Sequence, residues 1–159
     1  MSGRNASAVT LIVCLLVTFA AAAIGSAATL PSIPTWYAGL TKPDFNPPNW
    51  VFGPVWTLLY ALMAVALWRV LGRSEGGERR RAAAIYGVQL VLNAAWSVVF
   101  FGLHSPLGGL VVIVALAGAI IATIAAFSRI DRLAAGLLVP YLLWVGFASL
   151  LNLAILILN

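Results

Sequence analysis

Charge is what this chain has least of, and its scarcity excludes most architectures open to 159 residues. Only 8% of the residues are charged, where a soluble domain carries about a quarter. With 63% hydrophobic residues and a mean hydropathy of +1.05, a lone copy has too little polar surface to face water. Acids number four (Asp44, Glu75, Glu78 and Asp131) against nine bases. Three of the four lie in arginine-rich gaps, where local charge compensation is their expected role. The one histidine, His104, and the one cysteine, Cys14, lie far apart in sequence. They make no metal-ligand cluster, no nucleophile–base pair and no intrachain disulfide. Paired carboxylates and a phosphate-binding loop are missing too, so hydrolytic and acid–base chemistry find no support. The net charge of +5 does not signal nucleic acid, because the bases sit in short gaps between apolar runs, the pattern of membrane-flanking charge.

Long apolar runs are what the chain does have. They predict an all-α integral membrane protein, a single bundle of five transmembrane helices with no room for a second domain. The spans fall at about 8–30, 48–71, 82–102, 107–127 and 133–158, each near the roughly 20 residues that a bilayer requires. The first run has a basic start and small residues at 25–28, as a secretory signal does. It exceeds the ~7–15 residues of a signal core, which favours a span. Residues 72–81 read as a water-exposed turn and 103–106 as a tight turn between antiparallel helices. Arg4, Arg69, Arg73, Arg79, Arg80, Arg81, Arg129 and Arg132 then share one side of the membrane, with Lys42 alone on the other. Positive-inside bias puts the amino terminus in the cytoplasm of a cell with this protein in its inner membrane; in an outer membrane the rule would not apply in this form.

The segment from Trp36 to Tyr60 organises the rest. Pro43, Pro47 and Pro48 cannot lie inside one helix, although Pro47 and Pro48 can begin one. The stretch 31–47 is therefore expected as a loop, a lid rich in aromatics (Trp36, Tyr37, Phe45), over the mouth of the bundle. Beyond it Trp56, Tyr60, Met63 and Leu67 share a helical face. Gln89, Asn93, Trp96 and Phe100 share one on the third span, and Tyr141, Trp144, Ala148 and Asn152 one on the fifth. Amides in hydrocarbon need partners, so these faces should point inward, either cross-linking helices or lining a cavity. In the cavity reading Trp56, Trp96 and Trp144 form its walls, with Asn93 and a carbonyl freed by Pro140 as polar anchors, a site for a flat apolar molecule. Ala83 with Gly87, and Gly118 with Ala122, are small pairs one turn apart that suggest a homodimer with the third helix near its centre.

The runs WYxxLxKPxFxPPxWVFxPVWTxLY (36–60), QLxLNxxWxxxFF (89–101) and PYLxWxxxAxxLN (140–152) occur in this order. They resemble the signature of the translocator protein family, also called tryptophan-rich sensory proteins or peripheral benzodiazepine receptors. The resemblance covers almost the whole chain. It implies a five-helix bundle with a pocket near the first loop, binding porphyrins such as protoporphyrin IX or a related tetrapyrrole. It also implies binding of isoquinoline- and benzodiazepine-type ligands, with no cofactor required. Matched position by position, the ligand-binding residues are Trp36, Pro47, Trp56, Tyr60, Gln89, Asn93, Trp96, Phe100, Tyr141, Trp144 and Ala148. Some bacterial relatives degrade porphyrin in light, for which the matching catalytic residues are Trp56 and Trp144. The Tyr and Arg that follow LN in cholesterol-binding members are replaced here by LAILILN, so cholesterol is not an expected partner. A small structural subunit without a ligand is the third reading, opposed by the inward polar faces.

Overall fold

The structure, a computed structural model, describes residues 2–159, with side chains from residue 7 onward; the Arg4 side chain lies outside the described residues. It is helical throughout, with no strand among the described residues and five helical stretches long and apolar enough to cross a membrane. Helix α1 spans Ser2–Thr29, α2 Asn49–Arg73, α3 Gly76–Ser97 and α4 Pro106–Ser128. The fifth span is two helices, α5 (Arg132–Leu137) and α6 (Val139–Leu158).

Local chemistry sets several of these boundaries. Ser105 caps α4 by accepting from the Gly108 amide at 3.0 Å, and Pro106 occupies the first position, where its missing N–H is no loss. Asp131 caps α5 by accepting from the Leu133 and Ala134 amides at 3.0 and 3.4 Å. Two boundaries differ from the sequence reading. The turn expected over 72–81 is short, because α3 already starts at Gly76, whose φ of 54° only glycine adopts freely. Arg79, Arg80 and Arg81 therefore ride on the first turns of α3, since arginine is a good helix former once the chain has turned. Pro140 does not loosen the middle of a long helix; the chain breaks at Leu138, and Pro140 sits in the first turn of α6.

The end of α3 is a π-helical turn over Val98–Gly102. Such a turn widens the helix and lets Phe100 and Phe101 both face the interior. Its Phe101 carbonyl accepts from Ser32 Oγ at 2.7 Å.

In the bundle, α3 packs on α4, α4 on α6, and α1 on both α2 and α3. Helix α2 approaches α1 and the short α5 closely, whereas it meets α6 through long side chains. The core is consequently concentrated at the end near α5, where Met63, Ala64, Ala66, Val70, Tyr86, Phe127, Ala134 and Leu138 are all buried. At that end Arg69 Nε meets Asp131 Oδ2 at 2.7 Å, with Arg73 Nε at 3.4 Å. The acid thus compensates charge from α2, sixty-two residues away, rather than from its neighbours Arg129 and Arg132. Ala83, Gly118 and Ala122 face outwards, and a Cβ on Gly87 would meet open space.

Candidate functional site

Where α2 and α6 diverge, a cavity of about 630 Å³ opens between α1, α2, the π turn of α3, and α6. Phe19 and Gly25 of α1 line one wall, Phe52, Trp56 and Tyr60 of α2 another. Trp96, Phe100 and Phe101 form the third, and Ala148, Leu151 and Asn152 the fourth. The volume falls within the roughly 300–1,000 Å³ of small-molecule sites, and apolar walls with few polar groups are their usual lining. Among the described residues, no Asp, Glu, Lys, Arg or His lines the cavity.

The segment between α1 and α2 crosses this end of the bundle. Trp36 stacks on His104 with centroids 4.7 Å apart, and meets Phe100 edge-on at 5.5 Å. Tyr37 leans on Phe101, Phe45 touches Phe147, and the Thr41 backbone exchanges hydrogen bonds with the Asn159 side chain. Leu30, Ile33 and Tyr37 of this segment reach the cavity. Burial pushes the Tyr37 phenol pKa up, while its hydrogen bond to Asn46 pulls it down; the net shift is upward and the group stays neutral.

Beneath the cavity runs a chain of buried polar groups. Tyr60 Oη donates to Asn93 Oδ1 at 2.5 Å, Asn93 Nδ2 to Tyr141 Oη at 2.9 Å, and Tyr141 Oη to Gln89 Oε1 at 2.8 Å. These bonds tie α2, α3 and α6 together at the level where the helices begin to separate. A second set lies beside the cavity: Trp96 Nε1 donates to Asn152 Oδ1 at 3.1 Å, and Asn152 Nδ2 to the Pro106 carbonyl at 2.7 Å. Gly109 makes room for it, since a Cβ there would sit 2.8 Å from Phe100 Cδ2 and 2.9 Å from Asn152 Oδ1.

Of the residues singled out in the sequence, Trp56, Tyr60, Trp96, Phe100 and Ala148 line the cavity. Gln89, Asn93 and Tyr141 do not; they form the hydrogen-bonded floor below it, which is the cross-linking role. Trp36 stands behind Phe100, and Pro47 stays in the loop, half-buried and off the wall. The expectation that three tryptophans frame one cavity is corrected for Trp144. Its indole packs edge-on against Phe52 at 5.8 Å and against Phe147, in an outward groove with Val55, Leu58 and Pro140. Trp144 lies one turn before Ala148 on α6, where the rings of Phe52 and Phe147 take up its indole instead of the cavity. Pro140, in the same groove, offers no backbone anchor to a ligand in the cavity. The walls the sequence did not reveal are Phe19 and Gly25 of α1, Phe52 and Phe101. A pairing of Trp96 with Phe101 needed the π turn, which no residue pattern announces.

Five membrane-length helices, a loop folded over one end and an aromatic cavity beneath it define a multi-pass membrane protein with a cavity among its helices. The model of the TspO/MBR family matches residues 12–158. The tryptophan-rich protein TspO of Chlorobaculum tepidum is 45% identical over 156 residues, 98% of this chain and 99% of that one. The protein of the same name from Archaeoglobus fulgidus is 46% identical over 149 residues, 94% and 96% of the two chains. The human translocator protein is 42% identical over 120 residues, 74% of this chain and 70% of that one. The chain belongs to the TspO/MBR family of membrane proteins.

Proposed function

We propose that this protein is a membrane receptor or transporter-like protein for porphyrins, protoporphyrin IX or a related tetrapyrrole, and for other flat apolar molecules. The reading is carried by the aromatic cavity, lined by the rings of Trp56, Trp96, Phe100 and Phe101, surroundings suited to a planar apolar ligand. Its biological use would be tetrapyrrole sensing or regulation. Titration of the purified protein with protoporphyrin IX, followed by tryptophan fluorescence, tests it. Trp96→Ala should weaken quenching strongly, while Trp68→Phe should leave it unchanged, because the Trp68 indole bonds the Ser7 carbonyl at the opposite end. Undiminished binding by Trp96→Ala would end this reading.

The position of Trp56 favours a second reading, light- and oxygen-dependent porphyrin breakdown. Its indole lines the cavity with Tyr60 5.6 Å and Tyr141 6.3 Å behind it, centroid to centroid, so an electron lost from the indole could be replaced from the phenols. The ligand supplies the photochemistry. Loss of porphyrin absorbance under illumination, absent in the dark and in Trp56→Phe, checks it. A homodimer through the outward pair Ala83 and Gly87 belongs to the same proposal, and Gly87→Leu should then shift the solubilised protein towards monomer.

A further inference from the structure

Among the described residues, the cavity holds no ionisable side chain other than the phenols of Tyr37 and Tyr60, so these offer nothing to neutralise a carboxylate. Burying an unpaired carboxylate among aromatic walls is strongly unfavourable. A ligand that carries carboxylates along one edge must keep that edge at the mouth. The one cation in the segment that crosses this end of the bundle is Lys42. Its Nζ lies 4.7 Å from the centroid of the Tyr37 ring, and that ring lines the cavity. The side chain is half-buried, and its one polar contact among the described residues is the Leu40 carbonyl at 3.1 Å. Both ion pairs among the described residues belong to Asp131 at the other end, so Lys42 has no carboxylate partner of its own. A partly desolvated ammonium, positioned by an aromatic face and left without a counter-charge, is an acceptor site for an anion.

We infer that Lys42 is a specificity-determining residue, which pairs with the carboxylate of an amphipathic ligand whose apolar body fills the cavity. This rests on the reading of the cavity as a site for flat apolar molecules and adds an orientation to it: rings inward, acidic edge outward beside Tyr37. Neutral ligands of the same shape would bind without help from Lys42.

The test compares protoporphyrin IX with its dimethyl ester, and pyrenebutyrate with pyrenebutanol, on the full chain in zwitterionic nanodiscs. Lys42→Met should weaken the two acids about tenfold, the scale of one charge-assisted hydrogen bond at a half-exposed site, and the neutral partners less than about twofold. Lys42→Arg should hold the acids near wild type, and added salt should erode acid binding in the wild type more than in Lys42→Met. Equal losses for acid and neutral probes, or no loss for either, would overturn the assignment. Should neither porphyrin bind while the pyrene pair still discriminates through Lys42, the porphyrin reading falls and the role of Lys42 stands.

Discussion

At one end of the bundle α2 and α5 close on each other over Ala66, Val70, Ala134 and Ala135, all buried; at the other, α2 and α6 are held apart by Phe52, Trp56, Trp144 and Phe147. Both ends are apolar, so hydrophobicity does not distinguish them. Side-chain size does. In lipid, helices associate by close packing, and small residues let backbones approach. Rings that meet edge-to-face at 5.8 Å, as Phe52 and Trp144 do, act as spacers. The closed end carries the stability and the spaced end the cavity, and the Tyr60–Asn93–Tyr141–Gln89 chain marks the border. Mutations on either side of that border should therefore move different observables.

The largest effect is expected deep in the closed end. Phe127 is fully buried and stacks on Tyr86 at 6.1 Å, so Phe127→Ala should lower stability by about 3–5 kcal/mol. Unfolding in detergent reads this, while the folded fraction should bind porphyrin as before. A variant that loses affinity as well would erase the division between the ends. Next comes Trp96→Ala on the cavity wall, where removing a central aromatic anchor should weaken ligand binding by about 2 kcal/mol, near thirtyfold. Its stability loss should be smaller than that of Phe127→Ala, because Trp96 already faces open space on one side.

How much of this was legible follows the same border. Five spans could be read because apolar length is additive along the chain and needs no tertiary knowledge. The inward faces of α3 and α6 could be read because amides in hydrocarbon must find partners, and Asn93 and Asn152 do. Trp144 was misplaced because its ring is taken up by Phe52 of α2, a partner from a distant span that spacing along one helix cannot show. The π turn was hidden as well: one wide turn moves Phe101 inward without any residue that signals it. The partner of Asp131 was missed because it comes from a span distant in sequence, and charge patterning sees only neighbours.

Asp131 gives the third test, at the closed end and outside the spans. Burial alone would raise its pKa, but the hydrogen bond and charge of Arg69 with the Leu133 and Ala134 amides outweigh it, and the net shift is downward. A depressed folded pKa contributes stability above the unfolded value, lost as pH falls through the folded one. Stability should thus decline as pH drops below about 4, the ordinary carboxylate value. Asp131→Asn keeps a capping side chain but no charge, so it should flatten that decline and sit near the acid value throughout. Thermal melts of both proteins across this range decide it. An unchanged slope in Asp131→Asn would assign the acid sensitivity elsewhere.

The smallest effect is expected on the border itself, and it separates two residues that hydrogen-bond each other. Tyr141 Oη accepts from Asn93 and donates to Gln89, so Tyr141→Phe leaves two buried amides short of a partner. That should lower stability by about 1–2 kcal/mol, the upper part of the range for polar links between membrane helices. Gln89 differs, because its Nε2 is buried with no hydrogen-bond partner among the described residues. Gln89→Met removes one acceptor, but it also removes a donor that the fold leaves unsatisfied, and the two changes oppose each other. Stability should then stay within about 0.5 kcal/mol of wild type, with the Tyr141 hydroxyl free to turn back to Asn93. Since neither side chain lines the cavity, ligand affinity should hold in Gln89→Met and drop at most slightly in Tyr141→Phe, through Trp56, whose ring touches Tyr141. A large loss of binding in Gln89→Met would mean that the polar chain reaches the ligand after all. The border would then belong to the site rather than to the scaffold beneath it.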